Sequence, residues 1–507
     1  MRRRAGALLV AGATSDAGKT LVTTGLCRAL ARRGLRVAPF KAQNMSNNSM
    51  VTADGAEIGR AQWVQAVAAG AEPEAAMNPV LLKPGSDHRS HVVLMGRPHG
   101  QLAAGEFASG RERLREAAFA AYEDLCRRYD AVVCEGAGGV AEINLRSGDF
   151  VNLGLARHGA MPTVVVGDID RGGVFASLFG SLALLGPQDQ ALVAGFVVNK
   201  FRGDVGLLRP GLRQLESLTG RPVLGVLPWA PDLWWDSEDT LAIEHLDTDR
   251  RADPRTSLRV AVVRLPRISN FTDVDALALE PDVELSYADT PRALASADLV
   301  VLPGTRSTMA DLAWLRARGL AEAVLAHHRA GGAVLGLCGG YQMLGRQIED
   351  RDGVEGPAGA RAEGLGLLDV ATTFLAEKVL RLPTGSAFGA PASGYEIHHG
   401  RVRVARGEPF LGGVRDGAVL GTMWHGSLEG DALRAALLRE VASHVGREGF
   451  RPGGVSFARA RTARLDRLGD LVEEHLNMDR VCELVTGGVP AGLPVLTAAL
   501  AAAPAAR

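Results

Sequence analysis

ALLVAGATSDAGKTLVTTGLCRALARRG, residues 7–34, decides the first half of the fold. Its apolar opening (7–12) reads as a buried strand, GATSDAGKT (12–20) as a loop, and the segment from Thr20 as a helix that Gly34 ends. A Gly-rich loop between a strand and a helix offers successive backbone N–H groups and a helix N-terminus to phosphate. Ser15, Asp16, Gly18, Lys19 and Thr20 are its ATP-binding candidates; Lys19 reaches the terminal phosphates and Thr20 can ligate Mg²⁺. The loop is one residue longer than the usual form, with five residues between Gly12 and Gly18, so Ala13 stands at the first motif glycine.

Outward from this loop the same pattern repeats. LRVAPFK (35–41), AVVCEGAG (131–138), PTVVVGDID (162–170), LVAGFVVNKF (192–201) and PVLGVLPW (222–229) are apolar runs separated by helical stretches. Continuous rather than alternating apolarity marks strands covered on both faces, hence a parallel sheet. The chain turns acidic and Pro/Asp-rich after Ala230, and a second α/β unit begins at LRVAVVRLP (258–266), continuing through DLVVLPG (298–304) and GGAVLGLCGG (331–340). The expected architecture is α/β in two domains, each a mainly parallel sheet flanked by helices. The first spans 1–235, a linker 236–256, the second 257–485 including an amphipathic helix at 460–485, and a flexible tail 486–507.

With 507 residues, 47% hydrophobic and 22% charged, and a net charge of −1, the composition is that of a soluble enzyme with no basic field for nucleic acid. The Pro- and Gly-punctuated C-terminus does not read as a membrane span, and MRRRAGALLVAG runs straight into the phosphate loop rather than a cleavage site. Cys27, Cys126, Cys134, Cys338 and Cys482 are odd in number and scattered, so the cytoplasm is the expected compartment. His88, His91 and His99 lack metal spacing and read as loop residues, with no zinc expected. Arg dominates the basic residues. The five lysines, Lys19, Lys41, Lys83, Lys200 and Lys378, mark places where a compact ammonium is wanted.

Gly336-Leu337-Cys338-Gly339-Gly340 has the form of a nucleophile elbow: an apolar strand, a sharp turn, then a helix through YQMLGRQI. Cys338 gains thiolate character from the helix N-terminus and a neighbouring His. TMWHGSLEGD (422–431) offers His425 as the base, with Glu429 four residues on; His398 and His399 in SGYEIHHG compete. The N–H of Gly339 and one from the Gly304 turn in LPGTRST would form the oxyanion hole.

The variant phosphate loop resembles the dethiobiotin synthetase-like branch of P-loop proteins. That resemblance places Lys41 of KAQNMSNNS beside the phosphates, Asp54 of TADGAEIG and Glu135 of CEGAGG at the metal with Thr20, and Asn199 of VVNKFRGD at the adenine. The elbow half is similar to class I glutamine amidotransferases, which implies Cys338 as nucleophile and His425 as base. Ser427 stands where that class commonly carries a Glu, leaving Glu429 or no acid as the third member.

KAQNMSNNS, TADGAEIGRAQ, LPGTRST, LCGGYQMLG and GYEIHHG, in that order, resemble the cobyric acid synthases of cobalamin biosynthesis over about residues 6 to 485. The resemblance implies amidation of the b, d, e and g carboxylates of adenosylcobyrinic acid a,c-diamide, each step using one glutamine and one ATP with Mg²⁺. Lys41, Asn44 and Asn47 are the substrate candidates, and Lys83 a residue that steers the polyanionic corrinoid or sits solvated at the surface. Cobyrinic acid a,c-diamide synthase is the nearest alternative, with CTP synthase sharing the logic. A partitioning-type ATPase is disfavoured because Thr14 and Ser15 stand where its extra Lys belongs.

Overall fold

The computed structural model describes residues 5–86, 89–103, 107–230, 233 and 256–496. Six parallel strands form the first sheet, in the order Val223–Pro228, Val193–Phe201, Thr163–Asp168, Gly6–Gly12, Ala131–Glu135, Val37–Phe40. They fall where the apolar runs placed them. Gly6–Gly12 sits centrally; its own connection runs to Val37–Phe40 on one side, whereas that of its neighbour Thr163–Asp168 runs to Val193–Phe201 on the other. That reversal opens a crevice at its carboxyl end, where the phosphate loop lies.

The second sheet runs Val283–Ala288, Leu258–Val263, Leu299–Leu302, Ala333–Leu337, Val419–Thr422, Gly413–Asp416, Glu408–Phe410. Its first five strands are parallel, and the last two are antiparallel. Buried Val, Leu and Ala residues pack on both faces of each sheet, as uninterrupted apolar strands require. No helix among the described residues is long and apolar enough to cross a membrane.

The region between the second and third expected strands holds more than helix. A four-stranded sheet (Gln43–Met45, Val80–Ser86, Arg89–Leu94, Arg97–Ala103) and a hairpin (Ser49–Val51 with Glu57–Gly59) precede the helix Phe107–Arg128. Three-residue strands such as Gln43-Asn44-Met45 carry no readable alternation, so pairing alone reveals them. The helix after the elbow is also shorter than expected: it spans Gly339–Leu344, and Gln347–Asp350 is a strand.

The C-terminal boundaries need correction. The amphipathic helix assigned to the second domain packs on the first. Leu465, Leu468 and Val472 of Phe457–His475 join the core formed by Leu8, Val10, Val22 and Leu26. Each such burial contributes roughly 1.5–3 kcal/mol. Asp466 pairs with Arg28 and Arg32, both at 2.7 Å. Helix Met478–Gly487 follows, anchored where Asn477 N–H donates to Leu224 O at 2.7 Å. Amphipathicity names the face a helix buries but not the partner it meets. The expected tail is held as far as it is described: Leu496 exchanges hydrogen bonds of 2.7 and 3.1 Å with the Gln190 side chain, and Arg221 donates to Pro494 O. The linker at 236–256 lies, apart from Thr256, outside the described residues.

Candidate functional site

The elbow is strained as its sequence demands. Cys338 adopts φ 49°, ψ −107°, outside the favoured basins of an L-residue. Gly340 permits the turn: a Cβ there would stand 1.9 Å from the Leu302 carbonyl oxygen. The strand Ala333–Leu337 therefore passes directly into the helix beneath a projecting Sγ.

His425 follows the strand Val419–Thr422 and is 1% exposed. Its Nδ1 donates to Asp273 Oδ2 at 2.6 Å, and Cys338 acts electrostatically on the same ring. Asp273 Oδ1 accepts from Gly426 N–H at 2.7 Å, so both carboxylate oxygens clamp the turn that carries the histidine. Burial disfavours a charged His425, but Asp273 and then Cys338 outweigh it and pull its pKa up to about 10. Tyr395 stacks on the ring at 5.4 Å. The competitors line the same cavity as Cys338, but each has its Nδ1 tied to backbone: His398 to Gly400 O at 2.8 Å and His399 to Leu375 O at 3.1 Å.

Sequence reasoning missed Asp273. It lies on a 3₁₀ turn, Phe271–Val274, just beyond the first strand of the second sheet and far from His425 in the chain. An Asp interrupting the apolar residues of SNFTDVDAL was the available signal. Glu429 does not fill this place; it pairs with Arg60 and Arg461, each at 2.9 Å. Gly304 does lie at the site, since a Cβ there would stand 2.9 Å from His425 Cε1. Gly339 abuts the next residue of the same turn, its Cβ position 3.1 Å from Thr305 N.

At the first sheet, Lys19 Nζ donates to Thr14 O at 3.2 Å and Gly138 O at 3.1 Å, curling back into the loop. Ser15 is exposed, and Asp16 takes a left-handed φ of 55°. Gly18, with φ 93°, lets Asn199 approach: a Cβ would meet Asn199 Nδ2 at 2.0 Å, and that nitrogen donates to Ala17 O at 2.9 Å. Glu135, at its strand end, accepts from Thr20 Oγ1 (2.8 Å), Lys41 Nζ (2.8 Å) and Gln65 Nε2 (2.6 Å). Burial alone would raise its pKa; Lys41 and the hydrogen bonds from Gln65 and Thr20 prevail and hold it below the usual carboxylate range.

The structure therefore brings Lys19, Thr20, Lys41, Glu135 and Asn199 around one loop. Asp54 is not among them. It sits in the exposed turn of the hairpin Ser49–Val51/Glu57–Gly59, where it accepts from Thr52 Oγ1. The buried carboxylate of that hairpin is Glu57. Asn44 is also committed, donating to Gln62 Oε1 at 3.0 Å. Asn47 lines a cavity of about 330 Å³ together with Cys338, and its Oδ1 has no hydrogen-bond partner.

That cavity is walled by both units: Asn47, Lys83 and His91 from the first, Arg306, Cys338 and Lys378 from the second. Lys83 is thus no solvated surface residue; it is 6% exposed and pairs with Glu57. His91 belongs to the strand Arg89–Leu94, whereas His99 is exposed on Arg97–Ala103 and His88 lies outside the described residues.

A phosphate loop on one parallel sheet and, on another, an elbow cysteine beside a hydrogen-bonded His–Asp pair define a glutamine-hydrolysing, ATP-dependent amide ligase. Residues 8–241 match the CobQ/CobB/MinD/ParA nucleotide binding domain, and residues 259–433 the CobB/CobQ-like glutamine amidotransferase domain. The chain is similar to the cobyric acid synthase of Mycobacterium ulcerans (strain Agy99), 66% identical over 494 residues, 96% of this chain and 98% of that one. It is 66% identical over the same shares to the cobyric acid synthase of Mycolicibacterium gilvum (strain PYR-GCK), and 65% identical over 496 residues, again 96% and 98%, to that of Mycobacterium tuberculosis (strain ATCC 25177 / H37Ra). The chain belongs to the cobyric acid synthase family.

Proposed function

We propose that this enzyme amidates the b, d, e and g carboxylates of adenosylcobyrinic acid a,c-diamide, making adenosylcobyric acid in the cytoplasm. The observation that carries the reading is the cavity in which Cys338, beside a hydrogen-bonded His425–Asp273 pair, meets residues of the ATP-binding unit. Cys338 Sγ attacks the glutamine carboxamide, N–H groups of Gly339 and of the Gly304–Thr305 turn receive the charge developing on oxygen, and His425 gives its proton to the leaving ammonia. Water then releases glutamate from the thioester.

At the other site a substrate carboxylate attacks the γ-phosphorus of ATP and ADP departs. Ammonia attacks the resulting acyl phosphate, the C–N bond forms and phosphate leaves. Lys19, Ser15, Asp16 and Gly18 receive the ATP phosphates, Asn199 lies on the adenine side of the loop, and Lys41 and Asn47 serve the carboxylate and acyl phosphate. Thr20 Oγ1 and Glu135 Oε1, hard oxygens 2.8 Å apart at the loop, fit Mg²⁺, which takes one or two carboxylates alongside phosphates. When bound, the ion would neutralise charge on the transferred phosphoryl group.

Mass spectrometry of the corrinoid incubated with enzyme, glutamine, ATP and Mg²⁺ tests this reading. Four stepwise amidations dependent on both ATP and glutamine are expected. Glutamine hydrolysis that responds to ATP without any amidation would direct the search to another acid.

A further inference from the structure

Glu57 is 0% exposed and has three donors. Lys83 Nζ lies 2.5 Å from its Oε1, Ser49 Oγ donates to the same oxygen at 2.9 Å, and Lys378 Nζ donates to Oε2. Glu57, Lys83 and Ser49 belong to the first unit. Lys378 arrives from the second, on the strand Val370–Arg381, whose register with Glu396–Val404 shifts between Phe374 and Val379. Both lysines line the cavity that holds Cys338.

Two ammonium groups share one carboxylate here, so the cluster carries a surplus positive charge. Arg306, whose buried Nε has no hydrogen-bond partner, lines the same cavity. Burial and these cations push His91 and His399 down to about 3 and 4, so both rings are neutral at physiological pH. Burial pulls the Lys378 ammonium down to about 8 against the attraction of Glu57. Two acids also line the cavity: Asp352 is exposed and accepts from Ala376 N–H, and Glu355 accepts from Met309 N–H and attracts Arg306; neither is paired with Lys83 or Lys378, whose shared carboxylate is Glu57. An ammonium ion would meet like charge beside the two lysines, whereas neutral ammonia would not.

We infer that the Lys378–Glu57–Lys83 cluster fastens the two units around the space beside Cys338 and, through its surplus positive charge, keeps released ammonia neutral until it reaches the acyl phosphate. These are positioning residues, not catalytic ones, and the inference rests on the division of labour given under Proposed function. The arrangement suits such a role because a buried pair that loses one partner leaves an uncompensated charge and reorganises its surroundings.

The test measures glutamate released and amide formed in the same reaction, together with amidation driven by added ammonium chloride. Lys378→Met is expected to raise the glutamate-to-amide ratio roughly five- to tenfold while amidation from added ammonia persists. Lys83→Met leaves the bridge between units and removes only surplus charge, with an expected rise of about two- to threefold. Lys378→Arg, which keeps charge and reach, should restore a ratio near that of the wild type. The inference is overturned if Lys378→Met and Lys83→Met couple as tightly as the wild type, or if glutamine-driven and ammonia-driven amidation fall in parallel. A wild-type enzyme that forms no amide from either nitrogen source would instead sink the underlying reading.

Discussion

The Cys338 site and the phosphate-loop site differ in what their charged groups are doing. Around Cys338 the partners are the machinery itself: Asp273 fixes His425, and His425 meets the sulfur. Around the loop the partners stand where a ligand would. Lys19 is turned onto the carbonyls of Thr14 and Gly138, and Lys41 onto Glu135. The first site generates its nucleophile from within, so it gains from being fully assembled. The second receives several negative charges from outside, and its cations wait on internal oxygens that phosphate can displace.

This contrast can be broken at either end. Cys338→Ala should have the largest effect, cutting glutamine-driven amidation by roughly 10⁵-fold or more while amidation from ammonium salts persists. Loss of both would show that the sites do not divide the work. Asp273→Asn should lower glutaminase kcat/KM by about 10³- to 10⁴-fold. With His425 raised to about 10, the imidazolium persists through neutral pH; removing the carboxylate lowers that pKa. The basic limb of the Asp273→Asn pH profile should therefore move to lower pH, and an unmoved limb would count against Asp273 as the orienting acid.

At the loop, Lys19→Ala should reduce amidation by about 10²- to 10³-fold with either nitrogen source, with glutamine hydrolysis continuing. Equal loss of hydrolysis would mean that the two sites share one constellation. The smallest change is expected for Glu429→Ala, within about tenfold in kcat/KM for glutamine, because Glu429 serves Arg60 and Arg461 rather than His425. A loss matching that of Asp273→Asn would reverse the assignment of the third member.

Several features were legible in the chain because they are local. The central strands, the phosphate loop and the elbow each occupy contiguous residues whose spacing encodes their geometry. The scarcity of lysine was informative too. Lys19 touches the loop carbonyls, Lys41 reaches Glu135, Lys83 and Lys378 share Glu57, and Lys200 pairs with Asp168 at 2.8 Å. Asp54 misled because the right residue type stood in the right string, yet its turn points to solvent and the neighbouring Glu57 is buried instead.

By itself the sequence determined two parallel sheets, one with a phosphate loop and one with a cysteine elbow, because hydrophobic periodicity and turn chemistry act over a few neighbouring residues. Only the tertiary structure decided that Asp273 rather than Glu429 clamps His425, that helix Phe457–His475 returns to the first sheet, and that Lys378 crosses to Glu57. Those choices join residues far apart in the chain. They are settled by which buried surfaces meet and which carboxylate a buried cation finds there, and neither is written in local spacing.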